Sequence, residues 1–121
     1  MPITHIEVPE VPSLYAVCFE GNVTYDWHVS SLQNHLRSAR EQQARFMAFD
    51  IQPAIYIDSR LLNLILYSQR TAHEKRQRMY FLGDRYKIDQ FFEKLLSWQG
   101  RKRLLIRENL ETLVRELTAK P

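Results

Sequence analysis

The sequence has few of the residues on which many structural and catalytic sites depend. Its 121 residues include one cysteine, Cys18. An intramolecular disulfide and a zinc site built from several thiolates are therefore excluded, and the composition suits a reducing compartment. There are three glycines and five prolines, so long flexible linkers are not expected. We expect one globular domain over residues 1–121.

Membrane and targeting signals are also missing from the pattern. No apolar run approaches the roughly 18 residues that a membrane-spanning helix needs. The N-terminal segment, MPITHIEVPEVPS, lacks the basic start and apolar core of a signal peptide. We therefore expect a cytoplasmic protein with no membrane span.

Features of nucleic-acid binding and of enzyme active sites are weak. The net charge of +3 is a small excess, and no nucleic-acid recognition module matches, so no nucleic-acid partner is expected. The four histidines have no carboxylate or cysteine at ligand spacing, so no metal site is predicted. There is no Gly-x-Ser-x-Gly elbow and no glycine-rich phosphate loop. We expect no cofactor, no small-molecule substrate and no enzymatic activity.

Hydrophobic periodicity predicts strands that alternate with helices. Residues 1–12 contain three prolines and are predicted to form an extended lead-in. Strands are expected within residues 13–21, 44–59, 78–84 and 104–106, and helices over about 26–43, 58–75, 86–98 and 108–117. This order predicts an α/β domain whose mostly parallel central sheet packs against about four helices. The two strongest apolar helix faces predict a core that includes Leu62, Ile65, Phe91, Phe92 and Leu95.

The sharpest local feature is the junction IYIDSRLLNLIL, residues 55–66. A strand-like apolar run gives way to helical periodicity at Asp58, and Ser59 follows directly. Free backbone N–H groups and the positive end of the helix dipole lie at such a position, so a phosphate on Ser59 would be favourably placed. The simpler interpretation is an ordinary helix cap, since Asp and Ser are common there.

Several segments, taken in order, resemble the anti-sigma factor antagonist (STAS) family. FDIQPAIYIDSRLLNLILYSQR resembles the family's central signature, with Asp-Ser opening an amphipathic helix. LYAVCFEGNVT resembles its first long strand and turn, RMYFLGDRYKIDQFFEKLL a later strand and helix, and RENLETLVREL the closing helix. The resemblance covers about residues 13–118 and rests on the order and spacing of these motifs.

The resemblance implies a protein-binding switch. In that family the serine after the aspartate is phosphorylated by a partner anti-sigma factor that is a serine kinase, and a phosphatase resets it; this position is Ser59. The unphosphorylated form binds the kinase and releases the sigma factor. The partner-binding residues expected here lie on an exposed first helical turn and on the first strand's turn: Asp58, Ser59, Arg60, Leu61, Leu62, Asn22 and Thr24.

The sequence departs from the family pattern beside Ser59. Arg60 and Leu61 occupy places where the family has a small residue and then glycine, and Thr24 stands where an acidic residue is common. An alternative is therefore a STAS scaffold without phosphorylation, for example an accessory subunit of a transporter ATPase or of a signalling complex. A small enzyme is the least favoured hypothesis.

Overall fold

The computed structural model describes residues 2–74 and 76–119. Its strands are β1 (Ile3–Ile6), β2 (Leu14–Phe19), β3 (Gly21–Val23), β4 (Phe46–Asp50), β5 (Ala54–Ile57), β6 (Arg78–Leu82) and β7 (Leu105–Arg107). Its helices are α1 (Asp26–Glu41), α2 (Ser59–Glu74), α3 (Arg85–Phe92), α4 (Trp98–Lys102) and α5 (Leu110–Thr118). The C-terminal limit predicted for the second helix, Lys75, lies outside the described residues.

The strands form two sheets. The larger sheet has five strands in the order β1-β2-β4-β6-β7, and the smaller one pairs β3 with β5. In the larger sheet β2, β4, β6 and β7 run parallel, while β1 is antiparallel to β2. The predicted α/β class with a mostly parallel central sheet is confirmed.

The prediction missed two features of the chain path. The segment taken as an extended lead-in contains β1, whose Ile3 is buried and pairs with Phe19. The predicted helix over 86–98 is broken, because α3 ends at Phe92 and Ser97 begins α4 by accepting a hydrogen bond from the Gly100 N–H. There are thus five helices in the described residues rather than about four.

The two faces of the larger sheet carry separate clusters of buried residues. Residues of α1, α2 and α3 pack on one face, together with side chains such as Phe49 and Phe81. The other face is covered by α5 through Leu113, against Ala48 and Tyr80. Of the residues predicted for the core, Leu62, Ile65 and Phe92 are buried, while Phe91 and Leu95 are half-buried at its edge.

Candidate functional site

The small sheet brings the turn after β3 beside the start of α2. Gly21 has a φ of +65°, a left-handed conformation that glycine adopts without strain, and it turns the chain out of β2 into β3. In the parallel pair, Asn22 lies opposite Tyr56 and Val23 opposite Ile57. The Asp58 N–H then donates to the Val23 carbonyl at 2.9 Å. The structure thus places Asn22 and Thr24 close to the Asp58–Ser59 junction.

Asp58 and Ser59 form the junction between β5 and α2. Asp58 Oδ1 accepts a hydrogen bond from the Arg60 backbone N–H at 2.8 Å, so the aspartate caps the helix. Ser59 is the first residue of α2 and is exposed to solvent. A group attached to its hydroxyl would meet the positive end of the helix dipole. The predicted strand-to-helix position of the pair is confirmed.

Arg60 connects this junction to the turn after β3. Its guanidinium donates to Asp26 Oδ1 at 2.6 Å and to the Thr24 carbonyl at 3.0 Å. It also reaches both carboxylate oxygens of Asp58, at 3.2 and 3.3 Å. The hydrogen bonds from Arg60 lower the pKa of Asp58. The hydrogen bond to Asp26, and to a smaller extent the one to Asp58, raises the pKa of Arg60 above its already high value. We call Asp26, Asp58 and Arg60 the Arg60 cluster.

Two of the predicted contact residues are not on the surface. Leu61 and Leu62 were expected on an exposed first turn, but they are 0% and 3% exposed. They start the apolar stripe that continues to Ile65, and this stripe packs onto the sheet. The expectation that a partner contacts their side chains directly is therefore wrong. Ser59 and Arg60 remain exposed, Asn22 is exposed, and Asp58 and Thr24 are half-buried.

Exposed apolar side chains flank the same junction, which the sequence reasoning missed. Tyr25, Trp27 and Tyr56 are 63%, 53% and 53% exposed, and Ile55 is 76% exposed. Tyr25 and Trp27 stack with ring centroids 6.3 Å apart. Trp27 lies off the buried stripe of α1, which was the signal available in the sequence. Aromatic residues that stay exposed are enriched in binding surfaces.

Other candidate groups in the described residues show little sign of chemistry. Cys18 is half-buried, and burial, with Asp50 second, raises the pKa of its thiol to about 11, so it carries no thiolate at neutral pH. Residues 2–74 and 76–119 contain no group of three His, Cys, Asp or Glu that could hold a metal ion. No helix over those ranges is long and apolar enough to cross a bilayer.

The fold matches several solved structures at low sequence identity. The anti-sigma factor antagonist SpoIIAA in its unphosphorylated form superposes with a TM-score of 0.72 at 11% identity, covering 95% of this chain and 96% of that one. The Bacillus cell fate determinant SpoIIAA in its phosphorylated form gives 0.75 at 14%, covering 95% and 98%. RsbS of Moorella thermoacetica, with a serine replaced by glutamate, gives 0.72 at 12%, covering 97% of each chain.

These superpositions define the architecture of the chain. It has the STAS fold that SpoIIAA and RsbS share, as the sequence resemblance implied. The sequence matches no protein-family model, and no curated protein is significantly similar to it. At such low identity, the fold is what the superpositions establish, and activity has to be argued from the site.

Proposed function

We propose that this chain is a protein-binding regulatory domain of the anti-sigma factor antagonist type, switched by phosphorylation of Ser59. It acts by reversible association with a protein partner rather than by catalysis. The partners are an anti-sigma factor with serine kinase activity and a phosphatase that restores the free hydroxyl, in a cytoplasmic partner-switching pathway. The observation that carries the proposal is the exposed Ser59 at the first position of α2 on a STAS fold.

The local charge explains how a phosphate on Ser59 would act. Asp26 and Asp58 already share the guanidinium of Arg60. A phosphoserine adds about −1.5 to −2 charges next to this cluster. Arg60 would then be drawn towards the phosphate and away from Asp26, which loosens the link between the β3 turn and α2. A charge left without a partner at an interface costs binding free energy, so we expect the modified form to release its partner.

The surrounding surface supplies what a protein partner would need. Ser59, Arg60 and Asn22 are exposed beside the aromatic pair of Tyr25 and Trp27. Interface hot spots are rich in Trp, Tyr and Arg, so this combination can contribute both affinity and specificity. Leu61 and Leu62 contribute indirectly, because their burial fixes the direction of the first turn of α2.

The decisive experiment is recovery of the partner followed by binding measurements. The full chain would be used to capture its partner from the native cell, and affinity would be measured for wild type, Ser59→Ala and Ser59→Asp. We expect Ser59→Ala to bind like wild type, since only a hydroxyl is lost, and Ser59→Asp to bind about tenfold more weakly, a change of about 1.4 kcal/mol. Phosphopeptide mass spectrometry should find the phosphate on Ser59.

A matched control separates position from charge. Ser97→Asp places the same charge on an exposed serine at the start of α4, where aspartate is also a good helix cap, and should bind like wild type. Equal affinities for wild type, Ser59→Ala and Ser59→Asp would overturn the switch. An Arg60→Ser background should make the loss caused by Ser59→Asp larger, because Arg60 partly neutralises the new charge.

The second candidate is a STAS scaffold without phosphorylation, for example an accessory subunit of a transporter ATPase or of a signalling complex. The Arg60 cluster favours it, because Arg60 ties down the turn where the family has small residues. In that case Arg60→Ser should weaken partner binding while Ser59→Asp leaves it unchanged. The two candidates therefore give opposite patterns with the same variants.

A further inference from the structure

A second surface feature lies at the other end of α2 from Ser59. A cavity of about 630 Å³ opens between α1 and the part of α2 around Tyr67, and the segments before β4 and β6 complete its wall. Its size falls within the range of small-molecule sites, about 300–1,000 Å³. We call it the basic groove, and the inference drawn from it does not rest on the function proposed for Ser59.

The charged residues that line the basic groove are all cationic. They are Arg40, Arg45 and Arg76, and no aspartate or glutamate is among the lining residues whose side chains the structure describes. Within the part of the chain that the structure describes, the three guanidinium groups have no hydrogen-bond or ion-pair partner. By contrast, Arg60 and Arg107 each pair with carboxylates. Three unpaired cations around one opening attract an anion.

Helix ends do not account for this charge. The groove lies near the C-terminal ends of α1 and α2, where a helix carries about −0.5 of an elementary charge. Cations are favourable there, which is the plain structural reason for one arginine. Two such ends offset about one positive charge, whereas three arginines line the opening. Among the described lining residues, the arginines therefore exceed the charge that the two helix ends offset.

The floor of the basic groove is apolar. Met47 of β4 and Met79 of β6 are register partners in the sheet and lie side by side beneath it, 1% and 3% exposed. Leu36 and Leu64 add half-buried walls, and Tyr67, 64% exposed, stands at the mouth. Methionine is unbranched and polarisable, so such a floor adapts to chains of different shape. The groove thus combines an anion-binding rim with an apolar bed.

The turns that end α1 and precede β6 hold the arginines in place. Gln43 has a φ of +55°, and the Ala44 N–H donates to the Ala39 carbonyl at 3.0 Å, which closes α1 and leads the chain to Arg45. Gln77 Nε2 donates to the Ala44 carbonyl at 2.8 Å, joining the segment that follows Arg76 to the same turn. These hydrogen bonds therefore fix the backbone from which Arg45 and Arg76 extend.

We propose that the basic groove binds an anionic amphiphile, with one phosphate or carboxylate head at the arginines and a single apolar chain over Met47 and Met79. The head satisfies the unpaired guanidinium groups through charge-assisted hydrogen bonds. The chain removes the exposed parts of Leu64 and Tyr67 from water. The same chemistry is offered by a free amphiphile and by the headgroup and chain of an anionic lipid.

Three probes test the two halves of this site on the full chain. Octyl phosphate carries both head and chain, inorganic phosphate carries the head alone, and octyl glucoside carries the chain with a neutral head. Binding would be followed by calorimetry below the micelle concentration and by the methyl signals of Met47 and Met79. We expect octyl phosphate to bind at least about tenfold more tightly than either other probe and to shift both methyl signals.

Variants identify the rim. Arg45→Gln combined with Arg76→Gln should weaken octyl phosphate binding about tenfold and leave octyl glucoside unchanged, because only the ionic contacts are removed. Arg103→Gln, an exposed arginine outside the groove, should change neither. Equal binding of octyl phosphate and octyl glucoside, or unshifted methionine methyls, would overturn the proposal.

Vesicles distinguish the two sources of the ligand. Anionic phospholipid vesicles that capture the wild type but not the double variant would assign the groove to a lipid in a membrane. Binding of monomeric octyl phosphate without vesicle capture would assign it to a free amphiphile. Absence of both interactions would refute the site.

Discussion

The two faces of the larger sheet differ in how much they bury and in what covers them. Along β2, β4 and β6, the register row of Val17, Phe49 and Phe81 faces α1, α2 and α3. The next row, Ala16, Ala48 and Tyr80, faces α5. The first row carries two phenylalanines, whereas the second carries two alanines beside Tyr80 and is covered by one helix. The face covered by α1, α2 and α3, which we call the thick face, therefore supplies most of the core. The face covered by α5, which we call the thin face, needs only one amphipathic helix.

The largest effect is expected from Phe92 on the thick face. Its ring packs edge-on to Phe81 with centroids 5.1 Å apart, and it is fully buried. Phe92→Ala should lower the free energy of unfolding by about 3–5 kcal/mol in denaturant titration. Tyr86→Ala, at a position 70% exposed on the same helix, should stay within about 0.5 kcal/mol. Similar losses for the two variants would show that α3 does not face the core.

A smaller loss is expected from Leu113 on the thin face. Leu113→Ala removes the fully buried anchor of α5, at a cost of about 2–3 kcal/mol, the low end for such a change because a single helix can settle into the gap. Leu113→Met should cost under about 1.5 kcal/mol. Equilibrium unfolding of both variants measures the difference. A loss matching that of Phe92→Ala would mean that the two faces contribute equally.

His28 makes the thick face sensitive to acid. It is 1% exposed, its Nδ1 accepts the Tyr25 N–H at 3.0 Å, and burial lowers its pKa. Because the pKa of His28 is lower in the folded chain than in the unfolded chain, the unfolded chain is protonated at a higher pH. The free energy of unfolding therefore falls as the pH drops below the ordinary histidine pKa of 6.5. Unfolding midpoints at neutral pH and at about pH 5.5 measure this.

Two variants, each replacing one histidine by asparagine, test the prediction that stability falls at low pH. His28→Asn keeps an acceptor near the Tyr25 N–H but does not titrate, so it should flatten the pH dependence. His35 is half-buried, bonds the Tyr15 hydroxyl at 2.8 Å and also has a pKa lowered by burial, so His35→Asn should flatten it in part. An unchanged pH slope in both variants would contradict the assignment.

The smallest effect on stability is expected at the Arg60 cluster, which belongs to neither face. Arg60→Ser should leave the free energy of unfolding almost unchanged, because exposed ion pairs contribute little. The same variant should raise the pKa of Asp58 towards its ordinary 3.8, since the hydrogen bonds from Arg60 hold it down. Carboxyl NMR titration measures that rise, with Arg115→Ser as the control. An unmoved Asp58 pKa would show that the cluster does not persist in solution.

Local patterns predicted the parts of the molecule that local physics controls. The change of period at Asp58 located the start of α2, and the stripe through Ile65 identified its buried face. That stripe also contains Leu61 and Leu62, so the periodicity predicts that they are buried. The family resemblance instead led to the expectation that they are exposed. Here periodicity was the better guide.

Long-range contacts account for what the sequence did not predict. β1 has only four residues, and its pairing with β2 depends on the whole sheet. Arg60 meets Asp26 and Thr24 across 34 and 36 residues, and no local pattern reveals that contact. The basic groove likewise draws its three arginines from the last turn of α1 and from the segments before β4 and β6.

The small β3–β5 sheet has a consequence for hydrogen exchange. It has two short strands, and the Asp58 N–H donates to the Val23 carbonyl at the end of that pair. Short strand pairings open locally at a lower free energy than the global transition. The Asp58 amide should therefore exchange by local opening, while Phe49 and Phe81 exchange only on global unfolding. A docked partner would appear as slower exchange at Asp58, before any change in the melting of the domain.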